Sequence, residues 1–288
     1  MKKLRENLQA YIFIGPFVVL SVLFMVWPIC KGFMNSLYNT KWSTSIFVGL
    51  KNYATIFSKD VYVLAIGNSL LFVAIVVPLL IVLGLWIAGS VFDKMPKYVS
   101  AVRICLYVPV VCSMVVMSII WRYILDSQTG LVKYFSVLLK TGTFDLLSDK
   151  KWTIVLLIFI LFTMNIGQSV LLYIAHMLGI PKELFEACTI DGGGRWDMFK
   201  NILIPLTKPT TDFIFITQTS SVLKVFIVIQ LVTRGGPNYG TTTMMYLLYQ
   251  EAFEKSNTGI ACAIGVLMFL ISLVLIVFRF ISDKKKRG

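Results

Sequence analysis

From Tyr11 to Cys30 the chain runs for twenty residues without a charged side chain. A helix needs ~20 mostly apolar residues to cross the hydrocarbon core of a bilayer. Further stretches of this kind recur at about 64–91, 101–125, 152–178, 210–233 and 258–281, and they set the fold class before any motif is considered. The sequence is 57% hydrophobic and only 14% charged, whereas soluble domains are nearer ~25% charged. The expectation is an all-α integral membrane protein with six transmembrane helices over residues 11–281.

Lys2, Lys3 and Arg5 precede the first run. A basic start before an apolar stretch resembles a signal peptide, but this stretch outruns the usual ~7–15 residues and has no small-x-small cleavage site. It is read as a retained first span with residues 1–10 cytoplasmic. The formal charge of +13 fits a topological cause, since Lys and Arg collect on the cytoplasmic side of membrane proteins. With six spans and both ends inside, fifteen of the 27 basic residues fall inside, among them those of the 282–288 tail, and ten fall in longer outer segments. No nucleic-acid-binding module is present, so nucleic acid is not expected as a partner. Cys30, Cys105, Cys112, Cys188 and Cys262 lack metal-ligand or disulfide-framework spacing.

The longest polar-rich block between two apolar segments is Pro181–Pro209, P-K-E-L-F-E-A-C-T-I-D-G-G-G-R-W-D-M-F-K-N-I-L-I-P-L-T-K-P. Pro181 suits a first helical position, and Leu184, Ala187 and Cys188 share a face. Gly192, Gly193 and Gly194 end that helix. Trp196, Phe199 and Leu203 make a second apolar stripe, which Pro205 is expected to interrupt. Small residues let another surface approach the backbone, and Glu186 among them can accept from a cation. This describes a docking element; an ordinary surface loop is the plainer alternative.

The block resembles the "EAA" loop of binding-protein-dependent ABC importer permeases: E-A-A, three residues, G, nine residues, I-x-L-P. Glu186, Ala187, Gly192, Ile202 and Pro205 match at that spacing, while Cys188 replaces the second alanine and Ile204 a leucine. Gly193 stands where the family often has alanine. F-V-G-L-K-N-Y (Phe47–Tyr53), Asn68-Ser69-Leu70, Trp121-Arg122-Tyr123 and T-R-G-G-P (Thr233–Pro237) with the following T-T-T-M-M-Y are similar to the sugar-transport branch, in particular the first permease subunit of maltose and glycerol-3-phosphate importers. The resemblance covers roughly 11–281.

It implies a type I ABC importer permease fold in a bacterial cytoplasmic membrane, with 181–209 as the cytoplasmic coupling loop. Glu186, Ala187, Cys188, Asp191, Gly192, Ile202 and Pro205 would then engage an ATP-hydrolysing subunit. The implied partners are a second, similar permease in a heterodimer, two ATPase subunits, an extracytoplasmic substrate-binding protein, membrane lipid and a carbohydrate. No G-x-x-x-x-G-K-[ST] occurs, so no phosphate-cradling loop of that type is available; ATP and Mg are expected on the partner subunits and no cofactor on this chain.

Polar residues within spans are costly and are treated as functional candidates. Asn165 and Gln168 in the fourth span are i, i+3 neighbours, and Gln218, Ser221 and Lys224 lie in the fifth. Such groups suit sugar hydroxyls in a partly apolar cavity, or interhelical hydrogen bonds. Asp212, a turn beyond Pro209, is assigned to the base of the loop. The rival reading is an ion-coupled secondary carrier, which tends to show inverted repeats and paired intramembrane carboxylates. A membrane enzyme is disfavoured: Gly167-Gln168-Ser169 and the sole histidine, His176, cannot meet from one helix, seven residues being about 10 Å apart along the axis.

Overall fold

The computed structural model describes residues 13–41, 44–138 and 145–285. The predicted N-terminal segment 1–10 and the end of the basic tail lie outside them. The described residues form two compact units: those up to Tyr62 with Leu247–Val274, and Val63–Tyr246 with those from Leu275 onward.

In the first unit, α1 (Phe13–Asn35) contains a π turn at Val22–Val26. The segment 39–62, which sequence left only as mixed, contributes an antiparallel hairpin: β1 (Tyr38–Lys41) and β2 (Thr44–Phe47) pair from Tyr38↔Phe47 to Lys41↔Thr44. Gly49 turns the chain at φ +56 into α2 (Lys51–Ser58). The F-V-G-L-K-N-Y motif is thereby a local clasp. Asn52 Nδ2 donates to the carbonyls of Ser36 at 2.8 Å and Tyr38 at 2.9 Å, and Tyr53 Oη donates to Ser36 Oγ at 2.7 Å. The same unit holds Glu251, almost fully buried, which accepts from Tyr62 Oη at 2.8 Å and Lys255 Nζ at 2.7 Å.

The second unit is built on two long helices, α3 (Asp60–Val91, most of which lies here) and α7 (Lys150–Met177). Pro78 lies inside α3; it has no N–H to give to the carbonyl four residues back. Between them come α4 (Pro96–Val111), α5 (Met114–Leu125) and the short α6 (Leu131–Leu138). α4 and α7 cross closely, and a side chain at Gly167 would collide with the Leu106 carbonyl; small residues at such crossings let backbones approach.

The predicted third span, 101–125, is two helices bent by 96°. Cys112 and Ser113 are extended, and Ser113 Oγ caps α5 by accepting from Val115 N at 3.3 Å. The predicted fifth span, 210–233, is likewise not one helix. α8 (Lys182–Ile190), the helical stretch α9 (195–206) and α10 (Lys208–Leu223) are followed by a break at 224–226 and a π turn at Ile229–Thr233. The chain ends in α11 (Met244–Tyr249), a further π turn and α12 (Thr258–Lys285). Among the described residues four helices are long and apolar enough to span a membrane, five if the bent pair counts as one.

Sequence motifs far apart in the chain converge beside the first turns of α3 and α7. Asn68 Nδ2 donates to the carbonyls of Gly240 and Thr242, both at 2.9 Å, and Ser69 Oγ accepts from Met244 N at 2.9 Å. Arg122 Nη1 donates to the carbonyls of Leu231 at 2.9 Å and Val232 at 3.1 Å. Thr241, Thr242 and Thr243 are fully buried, and Thr243 Oγ1 reaches the Val225 carbonyl at 3.0 Å across the break in the fifth segment.

Candidate functional site

Twenty-one residues beyond Asn68, about 32 Å along the axis at 1.5 Å per residue, α3 reaches Gly89 and meets the Pro181–Pro209 block. Pro181 is the cap and not the first helical residue, its ψ of 133° being extended, and α8 runs Lys182–Ile190 with Glu183 in the first turn, where the helix dipole favours an anion. The C-terminus closes as a Schellman turn: Gly192 is left-handed at φ +76, Gly193 N donates to the Cys188 carbonyl at 2.8 Å, and Gly192 N to Thr189 at 3.1 Å. Only Gly192 needs its glycine for backbone conformation. Gly193 needs it for space, because a Cβ there would lie 2.5 Å from Cys188 Sγ and 2.9 Å from the Cys188 carbonyl.

Gly194, extended, starts α9, and its N–H is held by Asp197 Oδ2 at 2.8 Å. Pro205 does not interrupt this helix. The turn before it is a π turn over Phe199–Leu203, in which Ile204 N bonds Phe199 O, so the ladder has already shifted register where Pro205 lacks its donor. The helical run ends at Thr207, whose Oγ1 donates to the Leu203 carbonyl at 2.6 Å.

One side of the block grips the rest of the unit. Phe185 packs on Phe92 with centroids 5.4 Å apart, and Arg195 Nη2 pairs with Asp93 Oδ2 at 2.8 Å. A Cβ at Gly89 would fall 2.7 Å from the Phe199 ring. At the base, His176 Nε2 bonds the Leu206 carbonyl at 3.0 Å, and Tyr173 Oη meets Thr211 Oγ1 at 2.9 Å. Asp212 Oδ1 accepts from Arg279 Nη2 at 2.8 Å and Nε at 3.1 Å, with the guanidinium 5.7 Å over Phe215. The Arg195–Asp93 pair is well exposed at 69% and 43% and contributes at most ~0–1 kcal/mol; the partly shielded Arg279–Asp212 pair is the stronger tether. An open cavity of about 690 Å³ remains between α8 and the ends of α3 and α7, with Trp86, Met177, Phe185, Glu186 and Trp196 in its wall.

The residues expected to couple are largely exposed, Glu186 in the cavity wall among them. Glu186, Ala187, Asp191 and Gly192 are exposed, Cys188 and Ile202 half-buried, and Pro205 exposed. Ile190 is 86% and Trp196 68% exposed. A short helix closed at its C-terminus by the Schellman turn and tethered on one side through Phe185 can move as a body with whatever seats on it. Sequence reasoning missed the tethers Asp93–Arg195 and His176–Leu206, because nothing local marks a pair 102 or 30 residues apart.

The pathway candidates do not form one cluster. Asn165 Nδ2 bonds back to Leu161 O at 2.7 Å on its own helix. Gln168 is exposed and meets the buried Gln218, Nε2 of Gln218 lying 3.4 Å from Gln168 Oε1, while Gln218 Oε1 has no partner among the described residues. Ser221 and Lys224 are exposed where α10 stops, and Lys224 is its C-cap. Among the described residues no group of three His, Cys, Asp or Glu side chains is disposed to hold a metal ion.

Residues 80–288 match the model of the family described as binding-protein-dependent transport system inner membrane component. The chain is 30% identical over 278 residues, 94% of each protein, to the "Probable ABC transporter permease protein YurN" of Bacillus subtilis (strain 168). It is 27% identical to the sn-glycerol-3-phosphate transport system permease protein UgpA of Agrobacterium fabrum, over 98% of this chain and 96% of that one. It is 26% identical to the lactose transport system permease protein LacF of Rhizobium radiobacter, over 98% and 96%. Its fold superposes on a chain of a bacterial alginate ABC transporter, solved in complex with an alginate pentasaccharide-bound periplasmic protein, with a TM-score of 0.85 at 21% identity, covering 96% of this chain and 94% of that one.

Proposed function

This chain belongs to the inner membrane components of binding-protein-dependent transport systems, and on that premise we propose that it is a permease subunit of an ATP-driven carbohydrate importer. In this reading it has six spans, the bent pair and the broken fifth segment each counting as one, with both termini cytoplasmic. It forms half of the translocation pathway beside a second, similar permease. Two ATPase subunits, holding ATP and Mg, dock on the cytoplasmic side, and a substrate-binding protein delivers cargo outside. The carbohydrate class is supported by the relatives named for glycerol-3-phosphate and lactose transport.

The observation that carries the coupling role is the rigid, exposed turn of α8. Glu186 accepts from a cation of the ATPase, Ala187 and Cys188 allow close approach, Gly192 and Asp191 form the turn, and Ile202 and Pro205 fix the exit into α10. Closure of the ATPase pair moves this lever, and its tethers to α3, α7 and α12 pass the displacement to the spans. Gln168 and Gln218 are the stronger pathway candidates, since Gln218 keeps an unfilled acceptor. An ion-coupled carrier would need a free intramembrane carboxylate; Asp212, the carboxylate near a span, is paired with Arg279.

The test is the reconstituted complex with Glu186→Lys. The variant should insert and co-purify with the second permease while stimulated ATP hydrolysis is lost. Wild-type rates of sugar uptake by that variant would refute the lever.

A further inference from the structure

The cavity between α8 and the ends of α3 and α7 has walls of two kinds. On α3 it begins at Trp86, which belongs to the uncharged run Val61–Phe92. Trp86 stands five residues before the last residue of that helix, or about 8 Å inside its end at 1.5 Å per residue. Asp93, Lys94 and Lys97 follow directly. One wall is thus at hydrocarbon depth, while the facing wall, from α8 and α9, carries charges. The apolar part is largely aromatic: Phe92 meets Phe185, and Trp196 stacks on Phe199 with centroids 5.6 Å apart. Trp86 remains 57% exposed. Ser90 Oγ in the same wall donates to the Trp86 carbonyl at 2.8 Å, so it presents no free donor to the cavity. Tryptophan concentrates where hydrocarbon gives way to water.

Four charged side chains line the cavity: Asp93, Lys182, Glu186 and Arg195. Asp93 and Arg195 hold each other. Glu186 is assigned above to a cation of the ATPase. Lys182 stands one turn before Glu186 on α8, in the order that favours a helical pair less, and it has no ion pair among the described residues. The wall is left with one positive charge, and the exposed Lys94 and Lys97 add to it just beyond Asp93. A soluble partner seated on α8 would meet the charged wall without reaching Trp86. A lipid reaches both.

We propose that this cavity seats one anionic phospholipid, its acyl chain against Trp86, Met177 and Phe199 and its phosphate on Lys182. The assignment to the cytoplasmic leaflet rests on the permease reading, which puts the Pro181–Pro209 block on that side. The volume of about 690 Å³ is within the range of ~300–1,000 Å³ in which sites enclose most of a ligand. Basic pockets between membrane helices on the cytoplasmic side take the headgroups of anionic lipids. A lipid there packs between the lever and the ends of α3 and α7, so the lever's movement depends on the composition of the leaflet.

The test uses the whole transporter in nanodiscs of phosphatidylethanolamine doped with phosphatidylglycerol that carries a photoactivatable diazirine on its acyl chain. Labelling mapped by peptide should saturate at 86–92 and 196–203, and unlabelled phosphatidylglycerol should displace it, whereas glycerol phosphate should not. Lys182→Gln should raise the probe fraction for half-saturation about fivefold, the weight of one lysine facing an anionic lipid. Ser90→Phe, which fills the cavity, should abolish labelling at 196–203 while the complex still assembles. Labelling that rises linearly with probe fraction, as on any lipid-exposed helix, or that glycerol phosphate displaces, overturns the lipid seat. Stimulated ATP hydrolysis with no labelling overturns the seat and leaves the permease reading standing. Saturable labelling of a chain that assembles with no ATPase subunit overturns the permease reading instead.

Discussion

Cys188 Sγ occupies the space that a side chain on Gly193 would need, 2.5 Å from where its Cβ would stand. The turn that ends α8 therefore trades size between two positions where the permeases it resembles often have alanine: one residue is larger and the other smaller. Gly193→Ala alone should destabilise the protein by roughly 1–3 kcal/mol, the usual cost of overpacking. Adding Cys188→Ala should recover part of that loss, leaving the contact with the Cys188 carbonyl at 2.9 Å unrelieved. Thermal unfolding of the four-member cycle should show a coupling of about 0.5 kcal/mol or more, and additivity would contradict the packing described.

Asp212 and Arg279 join α10 to α12 at the base of the same block. Asp212→Asn or Arg279→Met should each lower stability by about 1.5–3 kcal/mol, the range for hydrogen bonds to charged groups. The exchange Asp212→Arg/Arg279→Asp should restore more than half of it. Protease sensitivity of the purified subunit in nanodiscs reads the difference.

Asn68 donates to two buried carbonyls at once. Asn68→Ala leaves both unsatisfied, at about 1–3 kcal/mol each. Asn68→Asp should be worse, since a carboxylate would face two carbonyl oxygens with no proton to give. Hydrogen exchange at Thr241–Met244 should accelerate in both variants, more in the second.

The carboxylate of Asp126, at the turn after α5, accepts from Gln128 N and Thr129 N at 2.8 Å and Thr129 Oγ1 at 3.1 Å. Those bonds, the Gln128 N–H first, hold it below the usual carboxylate range. A depressed native value means that the turn's stabilisation is fully present above the unfolded value of ~3.9 and is lost as pH falls through the folded one. Exchange at Gln128 and Thr129 should rise with acidification in the wild type and lose that dependence in Asp126→Asn.

Much of this was legible from residue types. Apolar runs marked the long helices α1, α3, α7 and α12, and three successive glycines marked the end of α8, whereas α2 and α6 fell in segments read only as mixed or polar. The breaks were not legible. Span 3 divides at Cys112–Ser113, where a serine cap and nearby Pro109 outweigh a run that still reads as apolar, and the fifth segment stops at Lys224, where sequence saw only a charge inside a span. The π turn before Pro205 was equally hidden, because a shifted ladder leaves no compositional mark. Asn68-Ser69, Trp121-Arg122 and Thr233–Thr243 were each visible as motifs. That they form one knot depends on partners more than a hundred residues away, which spacing does not reveal.

Pro78 lies between the two places where α3 is held, near Asn68 and near Gly89. The carbonyl of Ala74 is left without its helical donor, so this turn is the most compliant part of a rod clamped at both ends. On the proposed permease reading, movements of the Pro181–Pro209 block and of the segment bonded to Asn68 would both be taken up as flexing at one internal joint, and filling that gap by Pro78→Ala would stiffen the rod between them.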